Sequence, residues 1–459
     1  MPGDIMPGSR RPAMLHENTL PLGIIGYFCN DLKKLLVITY YWPPAGGPGV
    51  QRWLKLCKYL SKAGYHCHVV TVDEAHASYP SIDKSLEKDI HPSIKITKTK
   101  SFEALKVFSS LFKKEKVPYA GIPDKNKMSN IGRIALYIRS NFFIPDARVG
   151  WNKYALEACR EIIVNENIDA IITTSPPHST QLIGLSLKKQ FPKLKWIADL
   201  RDPWTDIYYY NKLSHTESSK KKDLRYEKDV LECADAVTVT SPLTNKLYAA
   251  KIDKKHATKI HTITNGFDED DFIDLKTSPS AQFTITFAGT VNEQFGLEEF
   301  IAAVKNLSSE KVLLHFVGTI DNHTKVLLQK EIPGNHKITA YVTHKELMNY
   351  LAQSRVLLLS VPKGNNQGTI PGKLFEYLAV QKPIVCLAPK GSSAAEIIEA
   401  CKAGKTFLHD DREAMQNYLF QLINDLKTGK DISNHSTAYK KYSRKELAAQ
   451  FATLTEKLF

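Results

Sequence analysis

From Lys34 onward, apolar β-branched runs alternate with amphipathic helical stretches, and this alternation restricts the fold more than any other feature of the chain. "LLVITYYW" reads as a buried strand; after it Trp53, Leu56, Cys57 and Leu60 recur at helical spacing until Gly64. "YHCHVVTVD" returns as a strand, and after a polar stretch come a helix from about Asn152, the strand "IDAIITTS", the helix "STQLIGLSLKKQF" and the strand "KWIADLRDPW". A helix ending near Glu232 then leads to "ADAVTVTS", "PLTNKLYAAK" and "KIHTITNGF". The acidic, turn-rich "NGFDEDDFIDLKTSPSA" breaks the pattern, which resumes at "FTITFAGT" and runs through "GLEEFIAAVKNL", "KVLLHFVG", "HKELMNYLAQS", "RVLLLSVP", "GKLFEYLAV" and "PIVCLAP". Strands and helices of these lengths specify parallel βαβ units with helices on both sheet faces. The expected fold class is α/β: two doubly wound Rossmann-like domains, residues 34–265 and 283–442, facing each other across a cleft. Residues 266–282 form the linker, and a last helix, residues 443–459, crosses back to brace the first domain. Between Lys98 and Asp146 the pattern is weakest, and "FKKEKVPYAGIPDKNKMSN" reads as a mobile surface insertion.

At 459 residues the chain is long enough for two or three domains. Its seven cysteines (Cys29, Cys57, Cys67, Cys159, Cys233, Cys386 and Cys401) show no CxxC pair and no metal-ligand spacing, and read as reduced core thiols of a cytoplasmic protein. Residues 1–33 contain a short apolar run, Leu20 to Phe28, with no cleavage pattern after it, and read as a poorly ordered extension rather than a signal peptide. No apolar stretch approaches the roughly 20 residues of a spanning helix. The net charge of +14 calls for an anionic partner: nucleic acid, lipid headgroups or a phosphorylated substrate. Lysines cluster at "KKEK" (Lys113 to Lys116), "KKK" (Lys220 to Lys222) and "KKYSRK" (Lys440 to Lys445), with no nucleic-acid-binding signature beside them. The expectation is no nucleic acid but an anionic membrane surface, with aromatic side chains near Phe112 and near Tyr210 at the headgroup boundary.

Ligands of open α/β sheets bind at the carboxyl ends of strands, so the loops there are the candidate sites. The first, "PPAGGPGVQR", holds Gly46, Gly47 and Gly49, which suit a close approach of backbone N–H groups to a phosphate or sugar. It is G-G-x-G rather than a G-x-G-x-x-G dinucleotide fingerprint, which removes most support for a nicotinamide cofactor. The second, "TTSPPHSTQLIG", presents His178 after two prolines, either as a substrate partner titrating near neutral pH or as part of a helix cap made by Ser179 or Thr180. The third, "ADLRDPW", concentrates Asp199, Arg201 and Asp202 at a strand end, which implies either ligand contact or an Arg201 to Asp salt bridge that shapes the loop. In the second domain, "SVPKGNNQGTIPGKLFEYLAV" puts Pro371 in the first turn of a helix, with Lys373 and Glu376 on one face. A helix start with a lysine suits a diphosphate, and the carboxylate one turn on suits a ribose diol; the alternative is a surface ion pair.

From Lys34 onward the chain resembles GT-B glycosyltransferases of the large family 4 type. The resemblance rests on "PPAGGPGVQR", on "TNGFDEDDF" like the family's N-G-x-D-x-x-x-F, on "FAGTVNEQFGLEEF", and on "GKLFEYLAVQKPIV" like its E-A/Y-x-A-x-G-x-P segment. It implies transfer of a sugar from a nucleotide-sugar donor with retention, without an obligatory metal or other cofactor. Glu376 matches the second glutamate of the family's E-x7-E motif and is expected at the nucleotide ribose; Gly368 stands where the first glutamate belongs, and no arginine follows "FAGT". Donor contacts are expected from Gly46, Gly47, Gly289, Thr290, Thr369, Gly372, Lys373 and Glu376, and catalytic contacts from His178, Asp199 and Arg201. The partners implied are the nucleotide sugar and a glycan or lipid-linked acceptor in surface-polysaccharide or lipopolysaccharide assembly, on the inner face of the membrane. The alternatives are a sugar-nucleotide 2-epimerase and a noncatalytic glycan- or nucleotide-binding protein of the same architecture.

Overall fold

In the computed structural model, which describes residues 33–102, 129–207, 209–273, 275, 278, 280–364 and 366–459, the strands pair into two all-parallel sheets. The first half runs β1 (Lys34–Ile38), α1 (Pro48–Lys62), β2 (His66–Val72), β3 (Lys95–Thr99), α2 (Asn130–Phe142), α3 (Asn152–Glu166), β4 (Ala170–Ser175), α4 (Ser179–Gln190), β5 (Lys195–Leu200), α5 (Glu217–Cys233), β6 (Ala236–Val239), α6 (Pro242–Ala249), α7 (Lys254–Ala257) and β7 (Ile260–Thr262). Its seven strands lie in the order β3-β2-β1-β4-β5-β6-β7. The second half runs β8 (Thr284–Ala288), α8 (Glu298–Lys305), β9 (Leu313–Val317), α9 (Asn322–Glu331), β10 (His336–Thr339), α10 (His344–Gln353), β11 (Val356–Ser360), α11 (Lys373–Val380), β12 (Ile384–Leu387), α12 (Ser393–Ala400), β13 (Gly404–Phe407), α13 (Arg412–Lys427) and α14 (Arg444–Glu456). Its six strands lie in the order β10-β9-β8-β11-β12-β13. In both sheets the order reverses between the first strand and its later neighbour, β1 with β4 and β8 with β11. Loops on either side of such a reversal diverge and leave a crevice.

The central strands are buried along nearly their whole length, as strands covered by helices on both faces must be. Three strands escaped the sequence pattern because they are short and lie at or beside an edge: β3 ("KITKT") and β10 ("HKIT") carry outward lysines of the kind that protect sheet edges, and β13 is "GKTF". β1 stops at Ile38, short of the expected Trp42. Tyr40, Tyr41 and Trp42 leave the strand yet stay buried, with Tyr40 edge-on to both Tyr41 and Trp151. Much of the weakly patterned insertion, including Phe112 and Lys113 to Lys116, lies outside the described residues; its end forms α2.

Two further expectations need correction. Tyr210 is not an exposed aromatic: it is 9% exposed, stacks on His215 and donates its hydroxyl to Asp223 Oδ2 at 2.9 Å. Cys233 is exposed rather than a core thiol, while Cys57, Cys67, Cys159, Cys386 and Cys401 are buried and Cys29 lies outside the described residues. The segment after β7 is anchored as well as connecting. Asp268 accepts from Lys58 at 3.0 Å and from the Tyr59 hydroxyl at 2.5 Å, both on α1, and Lys55 Nζ stands 2.7 Å away. The last helix does return to the first domain: Leu447, Ala448, Phe451 and Leu454 of α14 belong to its core, with Phe451 edge-on to Trp53 at 5.1 Å.

Candidate active site

The loops at the carboxyl ends of β1, β4 and β5 form one cluster. Gly47 precedes Pro48 at φ +96°, a backbone setting that favours glycine, and it starts α1 with no side-chain cap. At Gly46 a Cβ would stand 2.9 Å from Ser81 Oγ and 3.2 Å from Asp83 Cβ, so a side chain there would need its neighbours to shift. The backbone of the loop itself favours glycine at position 47, whatever it binds.

Arg201 ties this cluster together through main-chain carbonyls: Nε donates to Ser175 at 2.9 Å, Nη2 to Pro176 at 2.8 Å and Nη1 to Gly49. Its own carbonyl accepts from Thr240 Oγ1 at 2.6 Å. Among the described residues no salt bridge joins Arg201 to Asp199 or Asp202, and the arginine shapes the glycine loop through these carbonyl bonds instead.

Asp199 does not reach the crevice. It is fully buried, and Arg52 grips it through Nε at 3.1 Å and Nη2 at 2.9 Å. Trp53 Nε1, Thr174 Oγ1 and Thr238 Oγ1 add bonds of 2.7, 2.8 and 2.7 Å. Five donors saturate a carboxylate's acceptor capacity. Burial opposes its charge, but Arg52 outweighs that and holds the carboxyl below its ordinary range. Asp199 is thus a structural hub, which corrects its place among catalytic candidates. The sequence pattern missed its partner Arg52, which sits on the apolar stripe of α1 and also donates to the carbonyls of Ile263 and Thr264.

His178 is itself the residue at the cap position of α4, while Ser179 binds Asp146 through both N–H (2.7 Å) and Oγ (2.8 Å). Its ring stacks on Trp204, with centroids 4.9 Å apart and 11° between planes, and Nδ1 has no hydrogen-bond partner among the described residues. Burial, helped by the Arg201 charge, pushes its pKa down to about 3, so the expected titration near neutral pH does not occur and the imidazole stays neutral.

The second cluster joins β8 to α11. Gly289, at φ +104°, and Thr290 are exposed at the strand exit, and nothing lies within 4 Å of a Cβ placed on Gly289. Lys373 Nζ donates to Ala288 O at 2.9 Å and lies 3.4 Å from the Phe287 ring centroid, while Ala288 N–H donates to Tyr377 Oη at 2.9 Å. These bonds clasp the start of α11 against the end of β8. Leu374 and Phe375 turn their N–H groups onto Pro371 and Gly372, but those of Gly372 and Lys373 have no partner among the described residues. Burial lowers the Lys373 pKa to about 7. Thr369 is exposed in the preceding loop.

Glu376 does not pair with Lys373. Its Oε1 accepts from His344 Nε2 at 2.9 Å, and Oε2 has no partner among the described residues. The His344 contact has no sequence signal, because it depends on how α10 packs beside α11. Gly368 lies where the two domains approach: a Cβ there would be 3.4 Å from Leu243 Cβ and 3.6 Å from Ser241 Oγ, at the start of α6. A cavity of about 540 Å³ beside Lys402, Lys405 and Tyr418 is lined by none of the candidate residues.

Residues 282–425 match the model of the family described as Glycosyl transferases group 1. No curated protein matches the chain in sequence. Its fold is similar to that of a sucrose-phosphate synthase from Thermosynechococcus elongatus (TM-score 0.60, 18% identity, 93% of this chain and 99% of the other). It is similar also to HepE of Anabaena, solved with UDP and glucose (0.55, 12%, 93% and 100%), and to WaaG, a glycosyltransferase involved in lipopolysaccharide biosynthesis (0.52, 12%, 92% and 98%). With that match on the domain carrying β8 and α11, and with this architecture over both domains, the chain is a glycosyltransferase of the GT-B fold that matches the glycosyl transferases group 1 family over residues 282–425.

Proposed function

We propose that the chain transfers a sugar, with retention, from a nucleotide-sugar donor to a glycan or lipid-linked acceptor in the assembly of a cell-surface polysaccharide or lipopolysaccharide. The observation that carries this reading is the junction of β8 and α11, where two N–H groups without partners among the described residues, Lys373 and the open Gly289–Thr290 exit adjoin one another. A diphosphate there meets the positive end of a helix and a lysine that is readily protonated on its arrival. Glu376 Oε2 is the acceptor for a ribose hydroxyl. In the transfer, the bond from the sugar's anomeric carbon to the diphosphate oxygen breaks and a bond to the acceptor oxygen forms on the same face. The acceptor hydroxyl's proton passes to the departing phosphate. The protein then contributes orientation and stabilisation of the leaving charge, and no side chain need act as nucleophile. His178, neutral and beside the glycine loop's Arg201, serves as a hydrogen-bonding partner for the sugar or acceptor.

The HepE and WaaG comparisons support the donor and pathway assignments by fold alone. The membrane side of the reading has separate support. Ile131, Ile134 and Phe142 of α2 are 54%, 56% and 74% exposed. The end of α2 is bonded, through Ser140 and Asn141, to residues 214–216 at the start of α5, which carries Lys220 to Lys222. Apolar side chains beside lysines complement an anionic bilayer surface.

The test is titration calorimetry of wild type and Glu376→Ala with UDP-, GDP- and ADP-sugars. Loss of a hydrogen bond to a charged acceptor costs about 1.5 to 3 kcal/mol, or roughly 10- to 150-fold in affinity. Equal affinity in the two proteins removes Glu376 from the donor site.

A further inference from the structure

Glu376 is held before any ligand arrives. His344, the first residue of α10, places Nε2 2.9 Å from Glu376 Oε1 and Nδ1 3.9 Å from Asp271 Oδ2. The three side chains are only 18–19% exposed, and they come from α10, α11 and the interdomain connection. Asp271 in turn lies 3.3 Å from Lys55 Nζ, and Lys55, 2% exposed, also pairs with Asp268 at 2.7 Å and Asp89 at 2.9 Å. A series of alternating charges therefore runs from α11 through His344 and the connection to α1, the helix that begins at the glycine loop. His344 owes its place to a capping box: Thr343 Oγ1 accepts from Glu346 N–H while Glu346 Oε2 accepts from Thr343 N–H, which fixes where α10 starts.

We propose that His344 is a positioning residue of the donor site, one ring nitrogen fixing the Glu376 carboxylate with Oε2 left for ligand, the other tying it to Asp271 and so to the interdomain connection. The inference rests on Glu376 being the ribose contact. A glutamate already immobilised in the free protein loses less side-chain entropy when ligand binds. Charge agrees with the geometry. Burial would lower the His344 pKa, but the bond to Glu376 and the charges of Glu376 and Asp271 outweigh both burial and the opposing Lys55, and raise it to about 9. On the α14 side, Arg444 is 5% exposed, feels Asp268, Glu376 and Asp271, and leaves Nη1 without a hydrogen bond. His344 is therefore a histidinium at neutral pH and loses that charge as pH rises through about 9.

The experiment titrates UDP, GDP and ADP into wild type at pH 7.5, then carries the tightest of the three through wild type, His344→Ala, His344→Gln and Glu376→Ala from pH 7.5 to 10. Expected is about tenfold weaker binding by His344→Ala at pH 7.5, the equivalent of one lost charged hydrogen bond. Partial recovery is expected in His344→Gln, with the ratio to wild type shrinking towards one by pH 10. Lys373 is retained with Glu376 in wild type and in both His344 variants, so its titration cancels in their ratio, whereas in Glu376→Ala the loss of the neighbouring carboxylate lowers it further. In turnover, KM for the donor rises while kcat changes little. His344→Ala binding as wild type does at pH 7.5 overturns the inference, as does a ratio that stays constant to pH 10, which marks a purely structural effect. Should Glu376→Ala bind as tightly as wild type, or wild type bind none of the three diphosphates, the donor reading itself fails and this inference with it. Weak Glu376→Ala beside an unaffected His344→Ala overturns the inference alone.

Discussion

At the residue scale, Asp199 and His178 show opposite outcomes of burial near the ends of two neighbouring strands, β5 and β4. Asp199 keeps its charge because Arg52 and three other donors, Trp53, Thr174 and Thr238, surround it, whereas His178, facing the Arg201 charge with Nδ1 unpaired among the described residues, keeps none. A neutral imidazole stacked on Trp204 is suited to hydrogen bonding and not to proton exchange near pH 7. His178→Ala is accordingly expected to lower turnover much more than donor affinity, without moving any limb of the pH–rate profile between pH 5.5 and 8. Stability has a defined sign as well. The unfolded chain binds a proton at His178 below about pH 6.5 that the folded chain refuses until about pH 3, so wild type is destabilised on acidification by up to about 1.4 kcal/mol per pH unit from this residue. Removal of the imidazole flattens that part of the acid limb in thermal unfolding. Wild-type turnover in the variant leaves His178 a helix-cap residue only.

At the scale of elements, α11 is defined at both ends by backbone requirements. Pro371 and Gly372 start it, and Gln381 ends it at φ +60°, where the family segment resembled by "FEYLAVQKP" has glycine. A left-handed residue with a Cβ costs roughly 1–2 kcal/mol relative to glycine. Gln381 offsets this by donating Nε2 to Asn434 O at 3.0 Å, while its carbonyl accepts from Asn434 N–H at 2.8 Å. Gln381→Gly exchanges one hydrogen bond for relief of that strain and is expected within about 1 kcal/mol of wild type. Gln381→Ala loses the bond and keeps the strain, and is expected to be about 1–2 kcal/mol less stable than Gln381→Gly. Thermal unfolding that ranks alanine equal to glycine at this site contradicts the account.

For the whole molecule, the excess of positive charge acquires a direction. Part of the lysine complement is neutralised internally: Lys55 and Lys58 are consumed by Asp89, Asp268, Asp270 and Asp271, which fasten the interdomain connection to α1. What remains outward includes Lys221 and Lys222 on α5, the helix that follows the residues bonded to the end of α2. Among the described residues no helix is long and apolar enough to cross a bilayer, and the proposed contact with an anionic membrane is assigned to this surface. Lysines near an anionic surface contribute on the order of 1 kcal/mol each, within a Debye length of about 8–10 Å. Flotation with anionic liposomes is expected to carry the protein at low salt and to release it at high salt. Absence of binding at low salt sinks the membrane proposal and leaves the water-soluble acceptor.

The sequence by itself determined what depends on local patterning. Continuous apolar runs can only be strands buried on two faces, amphipathic helices between them force parallel crossovers, and the resulting strand exits carry the glycine loop, "SPPHST", "FAGT" and "GKLFEYLAV" to the two crevices. Edge strands were invisible because their polar, lysine-bearing residues imitate loops. Tertiary structure alone decided which charged side chains reach a strand exit and which face each other. Asp199 and Lys373 look alike in sequence, each a charge at the edge of an apolar segment, yet one is enclosed by Arg52 from a helix 147 residues earlier while the other reaches the open end of β8. His344 meets Glu376 across 32 residues. Contacts of this kind depend on helix packing and on where each side chain's rotamer points, and no periodicity in a single chain encodes either.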